Sequence, residues 1–269
     1  MLIAFMALVL QDDGWQVKPR VGVWAGDESH TRLRSMEQEA IAKGGTGRGT
    51  YFDYDDAGAD GLSFIPSLDL FVTKGADQFM IGGFSSAGDG TVTLESTLEY
   101  DGDLHFAGER MRSKFSMVLL ELGYARRVMA GDVDFWLGAR IVRFDWKGSL
   151  ETISSVTPPT DLQSDEVIQG YKLPVLTAEI EWRVSGSVSL GVEAAFSYGF
   201  TLRRGLSATQ NADGMLRLTA SVLWTTGGFS AGAGLGYFAL DSVSFEHQDE
   251  TDLLNYRMVG LRVSVAYRF

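Results

Sequence analysis

Apolar and polar residues alternate along most of this chain with a period of two. Over residues 187–198, SVSLGVEAAFSY, one face holds Val188, Leu190, Val192, Ala194, Phe196 and Tyr198. The other face holds Ser189, Gly191, Glu193, Ala195 and Ser197. Residues 215–224 set Leu216, Leu218, Ala220, Val222 and Trp224 against Arg217, Thr219, Ser221 and Leu223, and residues 175–183 set Leu176, Ala178, Ile180 and Trp182 against Thr177, Glu179, Glu181 and Arg183. Successive side chains of a strand point to opposite faces, so the pattern predicts strands. Ten are expected, near 15–25, 62–73, 78–87, 114–126, 133–146, 173–184, 187–199, 215–224, 229–240 and 256–269. The first three alternate least well and Pro66 interrupts the second, so eight or twelve strands stand as alternatives.

The connections take turns. Tight ones (KGAD at 74–77, VMAGD at 128–132, SGS at 185–187, TTGG at 225–228) follow even-numbered strands. Long ones, near 26–61, 88–113, 147–172, 200–214 and 241–255, follow odd-numbered strands. Most strands match the ~9–11 tilted residues that cross a bilayer, and all the short turns fall at one end. The predicted fold is all-β: a single-domain transmembrane antiparallel up-and-down β-barrel over residues 15–269. A soluble sandwich or small ligand-binding barrel would also alternate, with its apolar face inward. Aromatic rings towards the ends of the apolar faces (Trp182, Phe196, Tyr198, Trp224, Tyr267, Phe269) favour the inverted arrangement, because such girdles sit at lipid headgroups. The polar faces then line the lumen with Glu121, Arg140, Glu179, Glu181, Arg183, Glu193, Arg217 and Arg262. Small residues such as those of GAGLG at 232–236 share that side. Ten strands lie near the size at which side chains fill the interior. Buried charges must pair or stay hydrated, so an ion-pair network in place of an apolar core is expected, with a narrow polar pore as the alternative.

The chain ends GLRVSVAYRF, with Leu261, Val263, Val265, Tyr267 and Phe269 on one face and Arg262 and Arg268 on the other. Slipping this strand by one residue would put both arginines in lipid, at up to about 2–4 kcal/mol each near the midplane. The ending resembles the C-terminal assembly signal of bacterial outer-membrane β-barrels. That resemblance implies recognition of Leu261, Val263, Val265, Tyr267 and Phe269 by the barrel-assembly machinery, and pairing of the last strand with the first. GTYFDYDDAG (49–58) and TLEYDGDLHFAGERM (97–111) look like segments of a broad group of small, uncharacterised porin-like outer-membrane barrels. The resemblance implies an outer-membrane location reached through the periplasm, with lipid and lipopolysaccharide as surroundings. It names no activity.

Composition narrows the picture further. The absence of cysteine excludes disulfides, thiol nucleophiles and thiolate metal sites. A net charge of −12 argues against nucleic acid, which needs clustered Lys and Arg. MLIAFMALVL, residues 1–10, is too short for a spanning helix and suits the core of a signal peptide over residues 1–11, although no basic residue precedes it; a mis-assigned start or a greasy first strand are the alternatives. A monomer without cofactor is expected.

Few segments suggest chemistry. DYDDAGAD (53–60) places Asp53, Asp55 and Gly58 at calcium-loop positions, yet Ala57 and Phe64 stand where further ligands belong, which points to a solvated acidic loop. GGTGRG (44–49) lacks the Lys-Ser/Thr of a phosphate loop and reads as a flexible connection. His30, His105 and His247 all fall in expected loops; His105 near Asp101 and Asp103, and His247 near Asp249 and Glu250, offer a base with an orienting acid. A His beside acids is also what an acidic loop gives by composition, and the paired-Asp and His-Asp constellation of the omptin proteases is not recognisable. The expected function is therefore non-enzymatic: a structural or surface-interaction role with, at most, a narrow pore for water, ions or small polar solutes. A membrane-embedded hydrolase using a loop histidine is the alternative.

Overall fold

The computed structural model describes residues 14–28, 31–37, 39–42, 44–58, 62–100, 102–154, 163–198, 202–203, 208–247 and 250–269; the expected signal segment lies outside them. Ten long strands close into one cylinder. They are β1 (Trp15–Asp27), β2 (Leu62–Lys74), β3 (Asp77–Thr93), β4 (Arg110–Met129), β5 (Val133–Ser154), β6 (Gln163–Arg183), β7 (Val188–Tyr198), β8 (Ala208–Thr226), β9 (Phe229–His247) and β10 (Glu250–Tyr267). Each pairs antiparallel with its neighbour in sequence, and β10 returns to β1 with Ala266 opposite Arg20 and Gly260 opposite Gly26. All ten expected strands form, the three weak ones included. Pro19 and Pro66 sit within paired strands, opposite Leu70 and Val23, and each removes one ladder donor.

The tight turns explain why the strands meet in this order. Lys74 pairs with Asp77 and Thr226 with Phe229, which leaves two-residue loops whose first residues, Gly75 and Gly227, have φ of +61° and +56°. Glycine adopts that conformation without steric cost, and such turns match the twist of the strands.

The lower wall, next to these turns, carries its apolar residues outward. Leu218, Val263 and Val265 are 44%, 58% and 46% exposed, which excludes a covering second sheet. Phe79, Ile81, Leu120, Leu122, Leu137, Ile180 and Val192 share this exposed band. Trp182, Trp224 and Tyr267 lie exposed towards one margin, and Phe196 and Tyr198 towards the other. The soluble alternatives are thereby removed: the cylinder is a transmembrane β-barrel.

Three of the expected loops are largely strand. Residues 147–154 continue β5, 163–172 begin β6, 208–214 begin β8, and β9 and β10 run to His247 and from Glu250. Strands of up to 22 residues exceed what a bilayer needs, so the wall projects well beyond it. A short strand, Arg32–Glu37, extends the rim by pairing with the start of β10, and Phe52–Asp53 pairs with it in turn. The reason these segments look irregular in sequence is a change of phase. On β5, Leu137 and Ile141 face lipid; beyond them the outward positions become Arg143, Asp145, Lys147 and Glu151, while Val142, Phe144, Trp146 and Leu150 point inward and are buried. β10 does the same, with Tyr256, Met258 and Leu254 inward and Arg257 outward. Above the lipid the solvent outside is water, so the apolar side turns in.

That inversion builds a core the sequence reading did not expect. Trp24, Phe84, Phe115, Met117, Phe144, Trp146, Phe238 and Tyr256 belong to one buried cluster inside the upper cylinder. Loop residues close it from above. Tyr54 stacks on Phe115 at 4.4 Å and accepts a hydrogen bond from the Trp146 indole at 2.8 Å, while Ser113 Oγ donates to the Ala57 carbonyl at 2.7 Å. Trp24 fits only because Gly236 faces it: a Cβ there would run into the indole ring.

Candidate functional site

Beneath the apolar plug, side chains from seven of the strands meet in a charged layer. Glu121 on β4, Arg140 on β5, Glu193 on β7 and Arg217 on β8 form a closed ring of alternating charge. Arg140 donates to Glu121 at 2.9 Å and lies 2.9 Å from Glu193; Arg217 lies 2.7 Å from Glu193 and also bonds Glu121. Beside the ring, Asp69 on β2 accepts from Arg20 on β1 and Arg262 on β10, both at 2.9 Å. The Arg262 guanidinium also lies 5.3 Å from the Trp24 ring centroid, which ties this layer to the plug above. Glycine again makes the room. A Cβ at Gly82 would strike the Asp69 carboxylate, and one at Gly123 the Arg140 stem.

Of the eight charged residues read from the sequence, Glu121, Arg140, Glu193, Arg217 and Arg262 meet in this layer. Glu179 lies directly opposite Glu193 in the β6–β7 ladder and forms no ion pair with a described residue. Glu181 and Arg183 sit lower, at the mouth, where Arg183 bonds Asp134 at 2.8 Å. Arg20, Asp69 and Asp134 were missed. Asp69 does alternate with Leu68 and Leu70, and Arg20 with Val21, but these stretches were the least regular by pattern.

The space left between these groups is small. Cavities of about 10 Å³ and 50 Å³ lie beside Arg262, the first against Trp24, Glu121 and Arg217, the second against Glu179 and Glu193. A water needs roughly 10–15 Å³ by this measure, so the layer leaves room for a few waters and no more. Below it the lumen widens into a polar vestibule of about 560 Å³, bounded by the short turns and lined by Lys18, Arg127, Asp134, Glu181 and Arg268 among others.

The other candidate groups lie in the loops. GGTGRG wraps a carboxylate of the protein itself: Glu99 accepts the Thr46 amide at 2.6 Å, the Thr46 hydroxyl at 3.1 Å and the Gly49 amide at 3.0 Å. Burial alone would raise the Glu99 pKa, but these donors hold it below its ordinary value. In DYDDAGAD, Asp53 and Asp56 each accept the other's backbone amide, at 3.4 Å and 3.1 Å. His105 ends a short strand, Asp103–His105, and is fully buried with Nδ1 2.9 Å from the Thr152 hydroxyl. Burial pushes its pKa down, against the pull of Asp103 and Glu109. His247 is the last residue of β9 rather than part of a loop, because the inverted pattern carries that strand onward. Its side chain, His30 and Asp101 lie outside the described residues.

Known structures share the architecture. The outer membrane protease OmpT of Escherichia coli is similar with a TM-score of 0.56 and 9% identity over 94% of this chain and 97% of its own. The transport unit of the autotransporter AIDA-I from Escherichia coli matches with a TM-score of 0.40, 6% identity, and 95% and 90% of the two chains. The toluene transporter TodX of Pseudomonas putida gives 0.37, 9%, and 98% and 92%. At such identities the likeness to OmpT concerns the fold alone. No protein-family model matches this sequence, and no curated protein sequence matches it either.

Proposed function

We propose that this chain is a non-enzymatic barrel of a Gram-negative-type outer membrane, with its lumen closed to solutes and its projecting upper wall serving a structural or surface-interaction role. The closed charged layer beneath a buried aromatic plug carries this reading, since among the described residues the cavities beside Arg262 in that layer have room only for a few waters. The short turns would face the periplasm and the projecting wall the exterior, as the architecture of such barrels implies. The C-terminal face that resembles the assembly signal supports the location: Leu261, Val263, Val265, Tyr267 and Phe269 all lie on the lipid side, and β10 closes on β1. On this reading lipid and lipopolysaccharide surround the wall, and a narrow pore is not favoured. Purified protein in planar bilayers is expected to give no steady unitary current; steady currents would overturn the proposal.

The hydrolase alternative draws no support from His105, which is buried and engaged with Thr152. Lipid and peptide hydrolysis by the wild type should stay at background and match that of a variant with His105 and His247 replaced by Ala.

A further inference from the structure

Among the charges that line the vestibule below the charged layer, two acids without an ion pair to a described residue stand on one wall and two such bases stand on the opposite wall. Glu179 and Glu181 project from β6. Lys18 projects from β1, and Arg268 follows the end of β10, the neighbour of β1. In a ring of ten strands β1 and β6 stand half a turn apart, so the two sets confront each other across the cavity.

The remaining charges there are already engaged. Arg20 bonds Asp69 and lies 4.7 Å from the Phe71 ring centroid; Arg183 bonds Asp134; Arg127 lies 5.4 Å from the Trp136 ring centroid. Among the described residues, Lys18, Glu179, Glu181 and Arg268 form no ion pair. The two sets form no ion pair with one another in this structure. A molecule carrying both charges can span the gap instead. Opposed charges in a concave site with low-dielectric walls focus their field on whatever enters.

We infer that the vestibule is a binding site for small zwitterions, with a ligand ammonium held by Glu179 and Glu181 and its carboxylate by Lys18 and Arg268. Its volume lies within the range of small-molecule sites. The site opens at the short-turn end and is bounded above by the charged layer, so it stands whether or not the lumen conducts.

The test is calorimetric titration of the full chain in detergent micelles with three probes at neutral pH. Alanylalanine carries both charges, its N-acetyl derivative only the carboxylate, and its amide only the ammonium. Alanylalanine should bind about ten-fold tighter than either derivative, the worth of one further charge-assisted contact. Glu181→Gln should remove most of its advantage over the N-acetyl probe, and Lys18→Gln most of its advantage over the amide. No measurable binding of any probe to the wild type, or any other ranking of the three, overturns the assignment. So does an unchanged ranking in both variants, and the wild-type comparison decides alone if a variant does not fold.

Discussion

The lower and upper halves of this cylinder are built from the same strands by opposite rules. Next to the short turns the wall is apolar outside and ionic inside: Val263 faces lipid while Arg262 pairs with Asp69. Above the lipid the same alternation continues with its chemistry reversed, so that Phe144 and Trp146 pack inward and Arg143 and Lys147 face water. Nothing in the hydrogen-bond ladder marks the change; β4 and β5 stay paired from Glu121 opposite Val142 to Met117 opposite Trp146. The lesson is that strand geometry and amphipathic phase are independent. Pairing runs on as long as the backbone allows, while the surrounding solvent decides which face is greasy.

Substitutions can break that comparison at either end. The largest effect is expected inside the lower half. Glu121→Ala leaves Arg140 and Arg217 each short of one partner in the buried ring, and should lower stability by about 3–5 kcal/mol in denaturant titrations from liposomes. Asp134→Ala at the mouth should cost about 1 kcal/mol or less, because its partner Arg183 is half exposed. On the outer wall, Val263→Arg should cost about 2–4 kcal/mol. Arg143→Val, on the same outer surface but above the lipid, should stay within about 0.5 kcal/mol. Equal costs for these two would erase the distinction between the halves.

The smallest effect is a pH dependence at the top of the barrel. The folded-state pKa of His105 lies below the ordinary 6.5, because burial disfavours its charged form. The unfolded loop then binds the proton more readily, so the contribution of His105 is complete above about pH 6.5 and declines as the pH falls through that value. The protection of the amides in residues 103–109, taken relative to the intrinsic exchange rate at each pH, should fall on acidification through this window, and His105→Gln should flatten the response.

Much of the lower half was legible from sequence. Leu216, Leu218, Ala220 and Val222 against Arg217 and Thr219 state a lipid-facing strand without help, and the positions of Glu121, Arg140, Glu193 and Arg217 on inward faces follow from the same count. Depth was not legible. Alternation gives the face of Glu181 and Arg183 but not their height along the axis, which strand tilt and stagger determine, so they read as members of the charged layer rather than the mouth. The upper half was hidden for another reason. A stretch such as FDWKGSLE, residues 144–151, keeps its period but swaps its phase, and against the lower pattern it looks like a polar loop. Arg20 and Asp69 were obscured by Pro19 and Pro66, which blur the strands that carry them.

The change of phase along β5 is the most exposed point of this account, and the absence of native cysteine makes it directly testable. Single cysteines at each position from 137 to 151, nitroxide-labelled in reconstituted bilayers, would report accessibility to oxygen in lipid and to a water-soluble nickel chelate. Positions 137, 139 and 141 should favour oxygen, 143, 145 and 147 the chelate, and 142, 144 and 146 neither. Oxygen access at 143, 145 and 147, or chelate access at 142, 144 and 146, would contradict it.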